Sequence, residues 1–402
     1  MLNYPSDLFM LPIQILLFVF SFYFILIGFF GLIPPKKIKK FAPKNRFAIL
    51  IPAHNEGTVI SNLIKNLSEL NYPRNLYEIF VIADNCSDDT AEIARNAGAT
   101  VYERFDEVKK SKGYALEWMF GKLDETFDAV VIFDADNLVH TEFLSAMNNH
   151  LCSGDKIIQG FLDAKNPYDS WVSGTFAIAF WLIDYVSHQA KTNIGLSAVL
   201  GGTGMCISLE VIKKIDWRAR CLVEDMEYTM RALTNGIKTT WAAEAIVYDE
   251  KPITFKASWI QRKRWAQGQF DVAHRFIPQM LKSGWRLKDI RIWDGCIYLL
   301  QPYFLMLWTI YLVLNPLVAY TNIYSVMPGE ILLVIMIGQY VLPMIILIKV
   351  RAKAKAWFYM LLYPLFIYSW IPIIFAGFKD RNKHEWAHTQ HSRSISYEEL
   401  DR

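Results

Sequence analysis

At 402 residues the chain has room for one soluble domain of ordinary size and several membrane helices. Its 53% hydrophobic and 15% aromatic content is too high for a fully solvated protein, while 20% charged residues exclude a chain lying wholly in lipid. A net charge of +3 leaves no electrostatic footprint for nucleic acid, and five scattered cysteines without a CxxC pair argue against a zinc site or a disulfide framework.

The first element is an uncharged apolar run at residues 9–33, long enough to cross a bilayer with some tilt. No Lys or Arg precedes it, and it is too long for a signal peptide. Lys36, Lys37, Lys39, Lys40, Lys44 and Arg46 follow at once, which places that end in the cytosol by the positive-inside rule.

Residues 47–51 (FAILI) then read as a strand, and residues 58–70 as a helix with apolar positions at Val59, Ile60, Leu63, Ile64 and Leu67. Residues 77–83 form a second strand. Ser87 or Asp88 caps a helix that runs to Gly98, and a short strand follows at residues 100–102. Residues 113–123 are helical, and residues 129–133 (AVVIF) make another apolar strand. Alternation of this kind predicts an α/β fold with a mixed, mostly parallel sheet and helices on both faces, where ligands bind beyond the carboxyl ends of the strands. The polar residues lie at those ends: His54, Asn55 and Glu56, then Asp84, then Asp134 and Asp136.

Further apolar segments occupy residues 297–320, 331–350 and 357–378. The first two read as crossings, since the loop between them lacks Lys and Arg and the loop after them (KVRAKAKA) is basic. A third crossing would put the basic tail outside. Pro364 and Pro372 lie within that segment, so it is expected to be broken, re-entrant or interfacial, with the tail cytosolic. The domain plan is therefore a membrane helix at 9–33, a cytosolic domain at 46–250, interface helices at 251–292, a membrane region at 295–378 and a tail at 379–402.

The local chemistry starts with FDADN. Two carboxylates one residue apart after an apolar strand, Asp134 and Asp136, suit Mg²⁺ or Mn²⁺ already partly held by phosphates, although a solvated turn has the same pattern. Asp84 ends the preceding strand and is placed to meet a nucleotide, whereas Asp88 and Asp89 fit helix capping better. Lys112 beside Gly113 suits phosphate approach. GGTG, with Gly202, allows close backbone approach to a ligand or simply makes a turn. Glu224 and Asp225 open a helix and include a candidate general base, though capping accounts for them too. Gln261, Arg264 and Trp265 share a helical face, giving hydrogen bonds, positive charge for a leaving diphosphate and a flat platform for a sugar ring; an interfacial membrane helix is the alternative.

Taken in order, PAHNE, ADN, DAD, ED and QRKRW resemble the family-2 glycosyltransferases, in particular the processive membrane synthases of cellulose, β-glucan, hyaluronan and poly-N-acetylglucosamine. The resemblance covers about residues 47–275. It implies a GT-A fold and inverting transfer, with Asn55, Glu56, Asp84, Lys112 and Asp134 facing uridine diphosphate, Asp136 holding the metal and Asp225 as base. It further implies that Gln261, Arg264 and Trp265 are the processivity motif, and that Trp386 and Thr389 belong to a loop covering the nucleotide. VED stands where many members have TED, and WAHT departs from the cellulose-type gating sequence. The sequence reaches Arg402 without a cyclic-dinucleotide-binding domain, which lowers the expectation of a cellulose synthase under that control.

The resulting expectation is a multi-pass plasma-membrane enzyme with a cytosolic catalytic domain. It would polymerise UDP-glucose, or as second choice UDP-N-acetylglucosamine, onto a growing polysaccharide with coupled export. Its partners would be the UDP-sugar, the polymer and the lipid membrane, with no nucleic acid. The rivals are a non-processive transferase acting on a lipid-linked acceptor and, from another class, a transporter with a cytosolic regulatory domain. The scarcity of ionisable residues in the apolar segments speaks against the last.

Overall fold

A computed structural model describes residues 7–218, 221–320, 329–383 and 393–400, with backbone alone at 7–10, 315–320 and 329–336. Helix α1 (Asp7–Phe29) leads into a central domain. There β1 (Phe47–Ala53), α2 (Ile60–Ser68), β2 (Tyr77–Asp84), α3 (Thr90–Asn96), β3 (Thr100–Arg104), α4 (Lys112–Phe120) and β4 (Ala129–Ile132) alternate. These strands pair in parallel in the order β3-β2-β1-β4. The pairing follows from composition. Residues Phe47–Ile51 and Ala129–Ile132 are buried on both faces, so helices must cover both sides. The amphipathic α2 supplies part of that cover by burying Ile60, Leu63, Ile64 and Leu67. Each such aliphatic contributes about 1.5–3 kcal/mol as an upper estimate.

The remainder of the sheet is mixed. After β5 (Leu138–Val139), α5 (Phe143–Cys152), β6 (Ile157–Ala164), α6 (Trp171–Ile183), a π-helical turn (Asp184–Gln189) and α7 (Ala190–Asn193) come β7 (Met205–Ser208), α8 (Leu209–Lys214), α9 (Glu224–Thr234) and β8 (Thr239–Asp249). The full order is β3-β2-β1-β4-β7-β6-β8-β5. Strand β7 lies antiparallel between β4 and β6, and β6 pairs in parallel with β8. One sheet edge therefore gathers the carboxyl ends of β1, β2, β4, β6 and β8 together with the glycine-rich loop entering β7.

Helix α10 (Phe255–Leu287) runs 33 residues and carries QRKRW. It packs on α11 (Ile290–Leu299) and, further along the chain, on α16 (Trp370–Lys379). The segment expected at 297–320 forms α12 (Gln301–Tyr320), bent by 49° from α11 at Leu300. Next comes α13 (Gly329–Lys349). The proline-bearing segment is broken into α14 (Ala354–Met360), α15 (Tyr363–Tyr368) and α16, with a 52° bend between α14 and the stretch beginning at Tyr363. Buried Arg262 stabilises a second break, donating to the Ser369 hydroxyl at 2.8 Å and the Phe366 carbonyl at 3.2 Å. Among the described residues, Leu11–Phe29 is the one unbroken helix long and apolar enough to cross a membrane; the number is three if each of the two bent pairs forms one span.

Candidate active site

A cavity of about 930 Å³ opens over that sheet edge. Asp84, Asp134, Asp136 and Asp225 line it together, although they come from three separate stretches of chain. Lys112, at the start of α4, joins two of these stretches. Its ammonium pairs with Asp134, donates to the Gly202 carbonyl at 2.9 Å and lies 4.0 Å from Glu224. Burial alone would lower the Lys112 pKa, but Asp134, Glu224 and Asp225 outweigh it, and the net shift is upward. Gly202 has a φ of +86°, and a Cβ there would sit 3.4 Å from the Asp225 carboxylate and 3.9 Å from the Lys112 ammonium. A side chain would be strained and would crowd both groups.

Asp225 lies in the first turn of α9, where the Met226 N–H donates to it at 2.7 Å. Burial, and next the negative Glu224 beside it, push its carboxyl up to about 7. Glu224 is also raised by burial, against the pull of Lys112. Arg264 approaches from α10; burial lowers its pKa while Glu224, Asp134 and Asp225 oppose that shift. Three carboxylates and two cations thus share one centre. Such a mixture suits a charged ligand whose phosphates draw the cations away from the protein's own acids.

Glu56 lines the cavity, and its N–H donates to Thr90. Asp84 is held by buried Arg104 at 2.5 Å, yet burial still keeps its carboxyl above the ordinary range. Gln261 lines the cavity with a buried carboxamide oxygen that has no hydrogen-bond partner among the described residues. Trp265 lines it too, packed edge-on against Phe176 and at a tilt to Phe180. Asn55 sits apart from these residues. It does not line the cavity; it adopts a φ of +58°, and its carboxamide oxygen accepts from the Ser87 N–H at 2.8 Å, which ties two loops together. Asp88 serves as a cap, accepting from the N–H groups of Thr90 and Gly57. Trp386 and Thr389 lie outside the described residues.

No group of three His, Cys, Asp or Glu side chains converges among the described residues. Asp136, 2% exposed, lines this wall two residues from Asp134, and the Lys165 ammonium donates to its backbone carbonyl at 2.9 Å. Mg²⁺ and Mn²⁺ accept one or two protein carboxylates when phosphate oxygens and water complete their shell, so the donor set fits a cation that arrives with a diphosphate.

Sequence reading overlooked Asp249 and Glu250, which line the same cavity from the end of β8. The Asn137 amide donates to both Asp136 and Asp249, coupling the β8 end to the DxD turn. The signal was available: YDEK ends an apolar stretch in the same way that FDAD does. The far wall of the cavity is apolar, built by Phe176, Phe180, Phe366, Ile367, Trp370 and Ile374.

Residues 43–268 match the family model described as glycosyltransferase like family 2. The probable glycosyltransferase YdaM of Bacillus subtilis is 28% identical over 274 residues, 65% of this chain and 63% of that protein. The β-monoglucosyldiacylglycerol synthase of Trichormus variabilis is 26% identical over 272 residues, 64% of this chain and 56% of that protein. The match therefore spans less than two thirds of either relative's length. Among solved structures, the mannosyltransferase PcManGT from Pyrobaculum calidifontis, in complex with GDP-Man and Mn²⁺, has the same fold. Its TM-score is 0.61 at 14% identity, covering 94% of this chain and 98% of that one.

Proposed function

This chain belongs to the glycosyltransferase like family 2, and on that premise we propose that it moves a sugar from a nucleotide-diphosphate donor to an acceptor hydroxyl presented from the membrane side. The observation that carries the reading is the single cavity in which Asp84, Asp136 and Asp225 meet Arg264 and Trp265.

In the reaction, Asp225 accepts the proton of the acceptor hydroxyl as that oxygen bonds to the anomeric carbon. The bond from that carbon to the diphosphate breaks, and the electron pair leaves with the diphosphate. A single displacement with one base inverts an α-linked donor to a β-linked product. Lys112 and Arg264 face the charge that develops on the leaving group, and Gln261 offers its unpaired carboxamide oxygen to a substrate hydroxyl. Asp136, with Asp134 nearby, would hold a divalent cation, which would supply further neutralisation of the diphosphate.

For the acceptor, the apolar far wall favours a lipid-borne headgroup. Phe366, Trp370 and Ile374 offer burial to hydrocarbon and few partners to a polymer rich in hydroxyls. The relative named as a β-monoglucosyldiacylglycerol synthase supports this reading. Processive synthesis of a polysaccharide is the second reading, favoured by the placement of Trp265, whose indole face can hold a sugar ring within the same cavity as Asp225. We place residues 46–250 on the cytosolic side of the plasma membrane, with α1 and the C-terminal helices as a multi-pass anchor. The lysines that follow α1 support this orientation.

The test is incubation of purified protein in lipid with Mn²⁺ or Mg²⁺ and labelled UDP-glucose, UDP-N-acetylglucosamine or GDP-mannose. Label in an organic-soluble glycolipid supports the first reading, and long polymer cut by a linkage-specific hydrolase supports the second. Absence of transfer from every donor would overturn the assignment.

A further inference from the structure

The cavity extends past the donor residues to the end of α6, where the helix widens into the π turn Asp184–Gln189. Turns of this kind re-aim side chains at the cost of helix regularity. Here the wider turn brings Asp184 over β6, two strands from β4 and roughly 10 Å along the sheet edge by ordinary strand spacing. Asp184 is 1% exposed and both of its oxygens are engaged. One accepts from the Trp241 indole at 3.1 Å and faces His188 Nδ1 at 3.2 Å, and the other accepts from the Leu162 N–H at 3.3 Å. Asp184 is thereby fixed, and it fixes the His188 ring.

The His188 side chain is only 8% exposed, yet it lines the cavity. Its Nδ1 is committed to Asp184, and Nε2 has no partner among the described residues. The π turn also forms the seat of α1. Gln189 donates to the Gly31 carbonyl at 2.8 Å, and Val186 lies 3.7 Å from where a Cβ on Gly28 would sit. His188 therefore lines the cavity beside the turn that seats α1, on a different stretch of wall from Asp84 and Asp136.

We propose that His188, oriented by Asp184, is an acceptor-recognition residue whose Nε2 hydrogen-bonds a hydroxyl of the acceptor headgroup. The inference rests on the reading of this cavity as the acceptor site. A hydroxyl is the class selected because one proton lies between Asp184 and Nδ1. Whether that proton sits on the ring or on the carboxyl, Nε2 accepts or donates, and a hydroxyl matches both states. The hydroxyl can belong to a sugar or to a glycerol headgroup, and the same experiment separates these sources.

The experiment measures acceptor KM and donor affinity for the full chain in lipid, with diacylglycerol or a glycosylated diacylglycerol as acceptor. His188→Phe keeps the aromatic volume and removes the polar atom, and it is expected to raise acceptor KM about tenfold while nucleotide affinity stays within twofold. His188→Gln, which can both donate and accept, is expected to restore most of the loss. The acceptor that shows the larger change identifies the source of the hydroxyl. Retained nucleotide affinity certifies the fold of each variant, and Gln serves where Phe fails to fold. An unchanged acceptor KM in an active background, or an equal loss of donor affinity, overturns the role of His188 and leaves the transferase reading standing. No transfer by the unmodified protein overturns both.

Discussion

Along the sheet edge, Asp84, Asp134 and Asp225 each meet a protein cation or a backbone N–H. Across the cavity, Phe176, Trp265 and Phe366 meet mainly one another. The first wall spends its hydrogen-bonding capacity on holding charges in a fixed arrangement. The second has little such capacity and is shaped by ring packing from α6, α10 and α15. The difference teaches that one cavity can separate two recognition tasks: charge placement for a diphosphate and a nucleophile on one side, and apolar fit for whatever carries the acceptor on the other.

The largest effect should come from the polar wall. Asp225→Asn is nearly isosteric and leaves Lys112 paired with Asp134, so transfer is expected to fall about 10³-fold or more with nucleotide binding retained. A turnover assay beside a nucleotide titration checks this, and an active variant would remove Asp225 from its role. Next in size is chelation. EDTA is expected to cost at least about 100-fold, with Mn²⁺ or Mg²⁺ restoring activity. Full turnover in chelator would dismiss Asp136 as a cation ligand.

The third test concerns pH. Asp225 must be ionised to accept a proton, and its raised pKa of about 7 means that acid removes the active form early. The expected kcat/KM falls about tenfold per unit below pH 7 and is level above it. A profile flat down to pH 5 would detach this carboxyl from the rate. The smallest effect is expected on the apolar wall. Trp265→Ala should raise acceptor KM roughly tenfold or shorten the product, with donor KM unchanged. Equal changes in both constants would blur the division between the walls.

Much of the parallel half of the sheet was readable from sequence, because a short apolar run ending in Asp or His is a local pattern and the strand that it specifies is fully buried. β1, β2 and β4 end where the polar residues begin, and the helices between them follow their own apolar period. The break in the proline-bearing segment was readable for the same reason. Beyond β4 the strand order depends on long-range pairing, so the antiparallel insertion of β7 and the cavity-lining ends of β6 and β8 were not legible. The backbone conformation of Asn55 and its bond to Ser87 depend on a loop some thirty residues away, which no local pattern reveals.

The sequence by itself determined which residues could carry charge, where strands must stop and which stretches prefer an apolar setting, since each of these depends on neighbours within a few positions. Tertiary structure alone decided that Lys112 would bind Asp134 and Gly202 at once, that Asp225 would lie against Gly202, and that a π turn would aim His188 into the same cavity. These placements follow from strand order and helix docking. They are fixed by the packing of distant apolar surfaces, which no local period in the chain encodes.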